Sequence, residues 1–467
     1  MRRFWGSLIL GAGLAAALAG ATRAETLADA LAYGYENSGL LEQNRALLRA
    51  ADEGSAQLLA TLRPIISWSA NTSAASSSSI RGLNAAERRA NDIEFDNINL
   101  SAQATLSASL LLYDGGQTRY SLDSQKALVL STREQLRQVE LQVLQRIVDA
   151  YLGVQRAAAF VELRRNNLRL ITQELQAARD RFEVGEITRT DVSLAEAQLA
   201  SARSALAANE GDLVQAQAEF RAAVGRAPGS LATVPDARIP GSLQEAQAIA
   251  RREHPAILQA QHSISVAELN IAAAEAAKRP TLSLGSSISI DNEFEDTESI
   301  GLSLDQTLYS GGRVESRVRE AKARRDAARA ALLNSSRTID RNVANAYALL
   351  QVARASIEAS GREVRAAQVA FDGLREEAQL GARTTLDVLN AEQDLLDARA
   401  TLVSAQIDET LATYVVLSAI GRLTAEQLGL PVQVYDPTAY YNLVRNAPSG
   451  SSEQGRALDR VLEAIGR

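Results

Sequence analysis

Residues 184–192 read VGEITRTDV, and residues 380–388 read LGARTTLDV, the same nine-residue pattern met again 196 positions further along the chain. Gly185 and Gly381 stand where a helix would end on a positive φ, the conformation a C-terminal cap requires. Thr188 with Asp191, and Thr384 with Asp387, have the S/T-x-x-D/E spacing that caps the start of a following helix. A helix-to-helix turn is therefore written twice. LLYDGG at 111–116 returns as TLYSGG at 307–312 with the same offset. ATLRP ending at Pro64 matches AAKRP ending at Pro280, and the offset there, 216, also carries Leu27 onto Leu243. The 20 additional residues of the first half fall between Pro64 and Tyr113. The chain is a tandem duplication. Repeat 1 covers about residues 25–226, repeat 2 about 243–421, and a tail follows over 422–467, Gly/Ser-rich past about Ala447 and then briefly helical.

Each repeat changes period along its length. Ile98, Leu100, Ala102, Ala104, Leu106, Ala108, Leu110 and Leu112 alternate with small polar residues, after a weaker alternation through Ile66, Trp68 and Ala70. In the second repeat Leu282, Leu284, Ile288 and Ile290 do the same, with Ile300, Leu302, Leu304 and Leu308 as the returning strand. A period of two predicts one β-hairpin per repeat, the extra 20 residues forming a loop around 76–95. Past the double glycines the period becomes helical. Leu136, Val139, Val143, Ile147, Ala150 and Val154 are spaced by three and four, predicting a helix over 117–183 and its copy in repeat 2. After each turn Val192, Leu199, Leu206, Leu213 and Phe220, and again Val388, Leu395, Leu402 and Val416, recur every seven residues, with Glu409 the one interruption. A sustained heptad predicts a left-handed coil against a neighbour. The helices before each hairpin (27–62 and 243–278) and after each turn (189–224 and 385–421) are expected to be about 36 residues each, so that two stacked end to end match one long helix.

The chain has 467 residues, 46% hydrophobic but only 4% aromatic, which suits thin helical seams better than a thick globular core. Its net charge is −7, and it has no basic run, so a nucleic-acid partner is not expected. Two arginines, an apolar run over 8–21 and small residues before Glu25 read as a signal peptide over 1–24, cleaved after Ala24 or within Ala19-Gly20-Ala21. With export, apolar-and-small-polar strands fit an outer-membrane barrel around a watery lumen. Four strands cannot close one; about eight give an interior filled by side chains, so a pore needs at least three chains and 12 strands. Catalytic signals are thin. There is no cysteine, and the two histidines, His254 and His262, are eight apart and lack metal-pair spacing. His254 precedes Pro255 and reads as a helix boundary. No enzyme, metal or cofactor is expected.

Over about residues 27–421, the signal segment, the duplicated hairpin-and-helix halves, the LYDGG and LYSGG entries and the two turns resemble the TolC family of outer-membrane efflux and secretion ducts. That resemblance implies a mainly α chain with a β-barrel, four strands per protomer contributing to a trimeric 12-stranded outer-membrane barrel continued by a long α-helical, coiled-coil periplasmic barrel. It implies a homotrimer in outer-membrane lipid, joined to a periplasmic adaptor protein and an inner-membrane transporter, ABC-type or proton-driven. It assigns Asp191 and Arg383 to a periplasmic gate, with Ala378 where the family has a gate tyrosine, and Asp387 to a pore selectivity ring whose second position is Asn390 here. The turns, Val184, Gly185, Thr188, Leu380, Gly381 and Thr384, would dock the adaptor. The glycines and threonines are equally accounted for as caps. A periplasmic coiled-coil adaptor is the alternative reading; it explains long helices but not two membrane-type hairpins.

Overall fold

The computed structural model describes residues 24–76 and 98–465. The expected signal segment up to residue 23 and the hairpin loop beyond residue 76 lie outside the described residues.

The element order repeats itself. Repeat 1 runs α1 (Leu27–Asn37), α2 (Gly39–Ala60), β1 (Ile65–Ser76), β2 (Ile98–Tyr113), α3 (Gln117–Glu183) and α4 (Arg189–Val224). Repeat 2 runs α5 (Leu243–Glu253), α6 (Pro255–Ala276), β3 (Thr281–Asp291), β4 (Asp296–Asp305), α7 (Arg313–Gln379) and α8 (Thr385–Ala419). The tail adds α9 (Ala439–Val444) and α10 (Glu453–Ile465). Both long helices have 67 residues.

The single 36-residue helix expected before each hairpin is corrected to two helices of 11 and 22 residues. In repeat 2 the break is the residue before a proline: Pro255 pushes His254 to φ −68, ψ 126, out of the helical region. In repeat 1 Ser38 takes φ −73, ψ 109, and its hydroxyl accepts from Leu41 N–H at 3.3 Å, restarting the helix as a cap.

The four strands form one antiparallel sheet in the order β1-β2-β3-β4. Its register sorts the two faces. Trp68 lies across from Leu106 and Leu106 from Ile288, while Leu110 faces Leu284 and Leu284 faces Leu302. The other face carries Ser67, Ser107, Ser287 and Ser299 in one row across all four strands. Ser67 and Ser107 hydroxyls are 2.8 Å apart, as are those of Ser287 and Ser299. The apolar face is uncovered: Trp68 is 70% exposed and Ile300 78%. Water is a poor neighbour for such a face, and hydrocarbon is a good one. Strand β4 stops at Asp305, short of the Leu308 expected from the alternation. Strand β2 runs on to Tyr113 because Leu282 of β3 pairs with it, whereas β4 ends at Asp305 because the residue opposite, Thr281, is the first of β3 and leaves β4 nothing further to pair with.

The helices and sheet belong to two compact units that cut across the repeats. One comprises the chain up to Gln43, Arg137–His254 and Thr338–Val434; the other comprises Asn44–Leu136, Pro255–Arg337 and the chain from Tyr435. In the first, Tyr151 and Phe220 are fully buried with ring centroids 6.2 Å apart, and Tyr151 Oη lies 2.7 Å from the Glu25 carbonyl. In the second, the tail folds back on α2, with Tyr440, Val444, Ala447 and Leu458 packed on Ala56 and Leu59. Tyr440 Oη donates to Glu53 Oε1 at 2.7 Å, and Arg63 donates to the carbonyls of Asn446 and Ala447.

Candidate functional site

The two turns are built alike. Helix α3 ends with Gly185 at φ +80, its N–H donating to Phe182 O at 3.0 Å while Glu186 N–H donates to Arg181 O at 2.9 Å. Helix α7 ends with Gly381 at φ +77, with Gly381 N–H to Ala378 O at 3.1 Å and Ala382 N–H to Glu377 O at 2.9 Å. Both pairs are the crossed bonds of a Schellman cap, which satisfies carbonyls the helix end leaves open. Only glycine enters that backbone region without a steric penalty.

The next helix starts three residues later on a capping box. Thr188 N–H and hydroxyl donate to Asp191 Oδ2 at 2.9 and 2.7 Å, and Asp191 N–H returns to the hydroxyl at 3.4 Å. Thr384 and Asp387 repeat this at 3.0, 2.8 and 3.2 Å. The Thr188 bonds hold the Asp191 carboxyl below its ordinary pKa, and the Thr384 bonds do the same for Asp387. Both aspartates therefore stay ionised and give the turns fixed negative charge.

Between the caps the loops are short and bare. Val184 and Leu380, the first residues past the long helices, are 72% and 86% exposed. Arg383 projects from the second turn, and its Nε donates to Glu377 Oε2 at 2.8 Å. Among the described residues no hydrogen bond or ion pair joins Arg383 to Asp191 within the chain. Ala378 is buried against Val388 and Leu395 and offers no polar atom, and Asn390 is exposed on α8.

Behind the turns lie two coils. Ile171 and Leu175 of α3 pack with Ala195, Leu199 and Ala202 of α4; Phe371 and Ala378 of α7 pack with Val388, Ala391 and Leu395 of α8. The coils also meet: Leu389 of α8 joins the first cluster, and Leu170 of α3 joins the second. Polar ties cross the same seam, Arg375 to Glu174 at 3.2 Å, Arg156 to Asp408, and Asn167 Nδ2 to Glu392 Oε1 at 2.6 Å. Sequence reasoning missed these. Glu392 was legible in one respect: it falls three residues after Leu389 and four before Leu396, on an apolar stripe where a carboxylate is out of place.

A family model described as outer membrane efflux protein matches residues 35–226 and 247–422, one segment per repeat. The chain belongs to the outer membrane efflux protein family. It is 35% identical over 434 residues to outer membrane efflux protein BepC of Brucella suis, covering 91% of this chain and 92% of that one. It is 26% identical over 356 residues to outer membrane protein TolC of Vibrio cholerae, covering 71% and 81% respectively. In structure it is similar to the CmeC outer membrane channel of Campylobacter jejuni, with a TM-score of 0.73 at 15% identity over 91% of this chain and 90% of that one. The protein is thus an outer-membrane exit duct for efflux or secretion, extending from the outer membrane into the periplasm, and the periplasmic adaptor reading is not favoured. Among the described residues no helix is long and apolar enough to cross a membrane. In this family a barrel does that, and the exposed apolar face of the sheet is where lipid would lie.

Proposed function

We propose that three copies of this chain close a 12-stranded barrel through the free edges of β1 and β4, and that the six turns of the trimer form a periplasmic gate opened by partners. The observation that carries the assembly is the four-stranded sheet, apolar and bare on one face, hydroxyl-lined on the other and open at both edges. Antiparallel edges of an even-stranded sheet can pair with each other around a three-fold axis, which removes the edge. The serine face, which also carries Asp291 and Asp305 at strand ends, then lines a wet lumen.

At the tip, Asp191 and Arg383 are assigned to the latch. The carboxylate is preorganised by its cap, and the guanidinium has only a solvent-exposed partner to give up. A charge-assisted link between first and second turns, repeated three times, would hold the entrance shut. Asp387 is assigned to a ring of three carboxylates that biases the entrance toward cations. Val184, Gly185, Thr188, Leu380, Gly381 and Thr384 would meet a periplasmic adaptor, the bare loops allowing close backbone approach and the two exposed apolar tips supplying the contact. Transport is passive in this chain, with energy supplied by an inner-membrane transporter of a tripartite efflux or type I secretion system.

Single-channel conductance in planar bilayers tests the gate. A small wild-type conductance that rises in Asp191→Ala and in Arg383→Ser supports a latch at these residues. A wide channel unaffected by either substitution would leave the turns as caps and docking surface only.

A further inference from the structure

Helices α3 and α8 belong to different coils, and Asn167 and Glu392 make a buried polar contact between them. Glu392 is 3% exposed and Asn167 7%. Asn167 Nδ2 donates to Glu392 Oε1 at 2.6 Å, and Glu392 Oε2 has no partner among the described residues. The apolar residues Leu170 and Leu389 knit the same seam from either side. We infer that Asn167 and Glu392 form a proton-dependent latch between the two coils of each chain, holding them together while Glu392 is a neutral acid and releasing them when it ionises.

The physics is that of a buried carboxyl. As a neutral acid it accepts the Asn167 amide and sits against leucines at modest cost. As a carboxylate it would have one hydrogen bond, one bare oxygen and no cation in contact, which a low-dielectric seam penalises heavily. The charged groups around it do not rescue it. Glu174 on α3 raises its proton affinity and Arg375 on α7 lowers it, but Arg375 is already paired with Glu174. Arg169 of α3 and Arg399 of α8 line the adjoining groove, where Arg169 donates to Asn166 and Arg399 to Gln368. Burial is the largest influence and lifts the Glu392 carboxyl to about 7, against the Asn167 bond, which lowers it. Separating the coils would let water in and return the group to ordinary acidity. The separated state then binds fewer protons, so rising pH favours it. Arg156–Asp408 and Arg375–Glu174 cross the same seam but are partly solvated and hold it weakly.

This latch rests on the proposed periplasmic gate and adds that the two coils of each chain part as it opens; the experiment separates the two ideas. The trimer is recorded in planar bilayers at about pH 5.5, 7 and 8.5 as wild type, Glu392→Gln, Glu392→Leu and Arg383→Ser, with assembly checked by heat-modified mobility. Wild-type open probability is expected to rise through neutral pH, by no more than about tenfold in the open-to-closed ratio per pH unit for each latch. Glu392→Gln, which keeps an acceptor for Asn167 and cannot ionise, should stay closed across the range. Glu392→Leu removes the titrating group differently and should flatten the profile too. A wild-type profile that is flat, or both variants keeping the wild-type slope, overturns the latch. Arg383→Ser reports on the tip alone: if it is silent while Glu392→Gln flattens the profile, the latch stands and the tip reading falls.

Discussion

Arg383 donates from Nε to Glu377 Oε2 at 2.8 Å, an ion pair closed within the second turn and the helix that leads into it. Both side chains are about half exposed, so solvent screens the pair and it contributes little to stability. Its consequence is competition, because Arg383 must leave Glu377 to reach Asp191. Glu377→Gln is therefore expected to change the unfolding midpoint little and to lower single-channel open probability, opposite in sign to Arg383→Ser. Equal openness in Glu377→Gln and wild type would show that the two acidic partners do not compete.

Thr188 and Thr384 make the same capping box, and replacing either by Ala is expected to cost about 1 kcal/mol per chain, read as a lowered unfolding midpoint in detergent. Only the second cap supports the proposed pore carboxylate. With Thr384 in place the Asp387 pKa is depressed, so its charge persists below the ordinary carboxylate range. Cation preference in reversal-potential measurements should thus fade at a higher pH in Thr384→Ala than in wild type, and be weak at all pH in Asp387→Asn. Thr188→Ala should leave that titration where it is.

Much of this was legible because duplication prints every signal twice. The bounds of α3 and α4 could be read from the double glycines, the capping threonines and the heptad of Val192, Leu199 and Phe220, since local capping and a long period leave little for tertiary contacts to override. The break at His254 was marked by Pro255; the one at Ser38 was not, because a serine can equally sit inside a helix. The end of β4 was misread because alternation reports which face a residue would take, not whether a neighbouring strand is there to pair with it. Asn167 and Glu392 lie 225 positions apart, and no local pattern ties an amide in one repeat to an acid in the other.

Asp52 is fully buried on α2, and neither carboxyl oxygen has a hydrogen-bond partner among the described residues. Burial lifts its pKa from 3.8 to about 6, with Arg133 opposing and Glu53 assisting. A folded-state pKa above the unfolded value favours the fold below the unfolded pKa, and that advantage is lost as pH rises from about 4 through about 6. Asp52→Asn should therefore stabilise the protein at pH 8 by up to about 3 kcal/mol, and do nearly nothing at pH 4. Unfolding midpoints at the two pH values check it; a loss of stability at pH 8 would mean that the ionised group has a favourable partner.

The double glycines that start the two long helices are repeats in sequence but not in surroundings. Gly115 has φ +70, and its carbonyl accepts from Arg279 Nη1 at 2.6 Å. A Cβ there would stand 2.5 Å from Arg279 Cβ and 3.0 Å from the Ala276 carbonyl oxygen, so either α6 or the strand-to-helix junction must shift. Gly311 has φ +64, but a Cβ there would meet nothing within 4 Å. Gly311→Ala should cost only the left-handed backbone penalty, of the order of 1 kcal/mol. Gly115→Ala should cost that and the clash, about 2 kcal/mol or more in all, because backbone and a Cβ cannot step aside as a flexible side-chain end would. Unfolding midpoints of the two variants side by side give the test: equal losses would mean that the first junction relaxes as freely as the second.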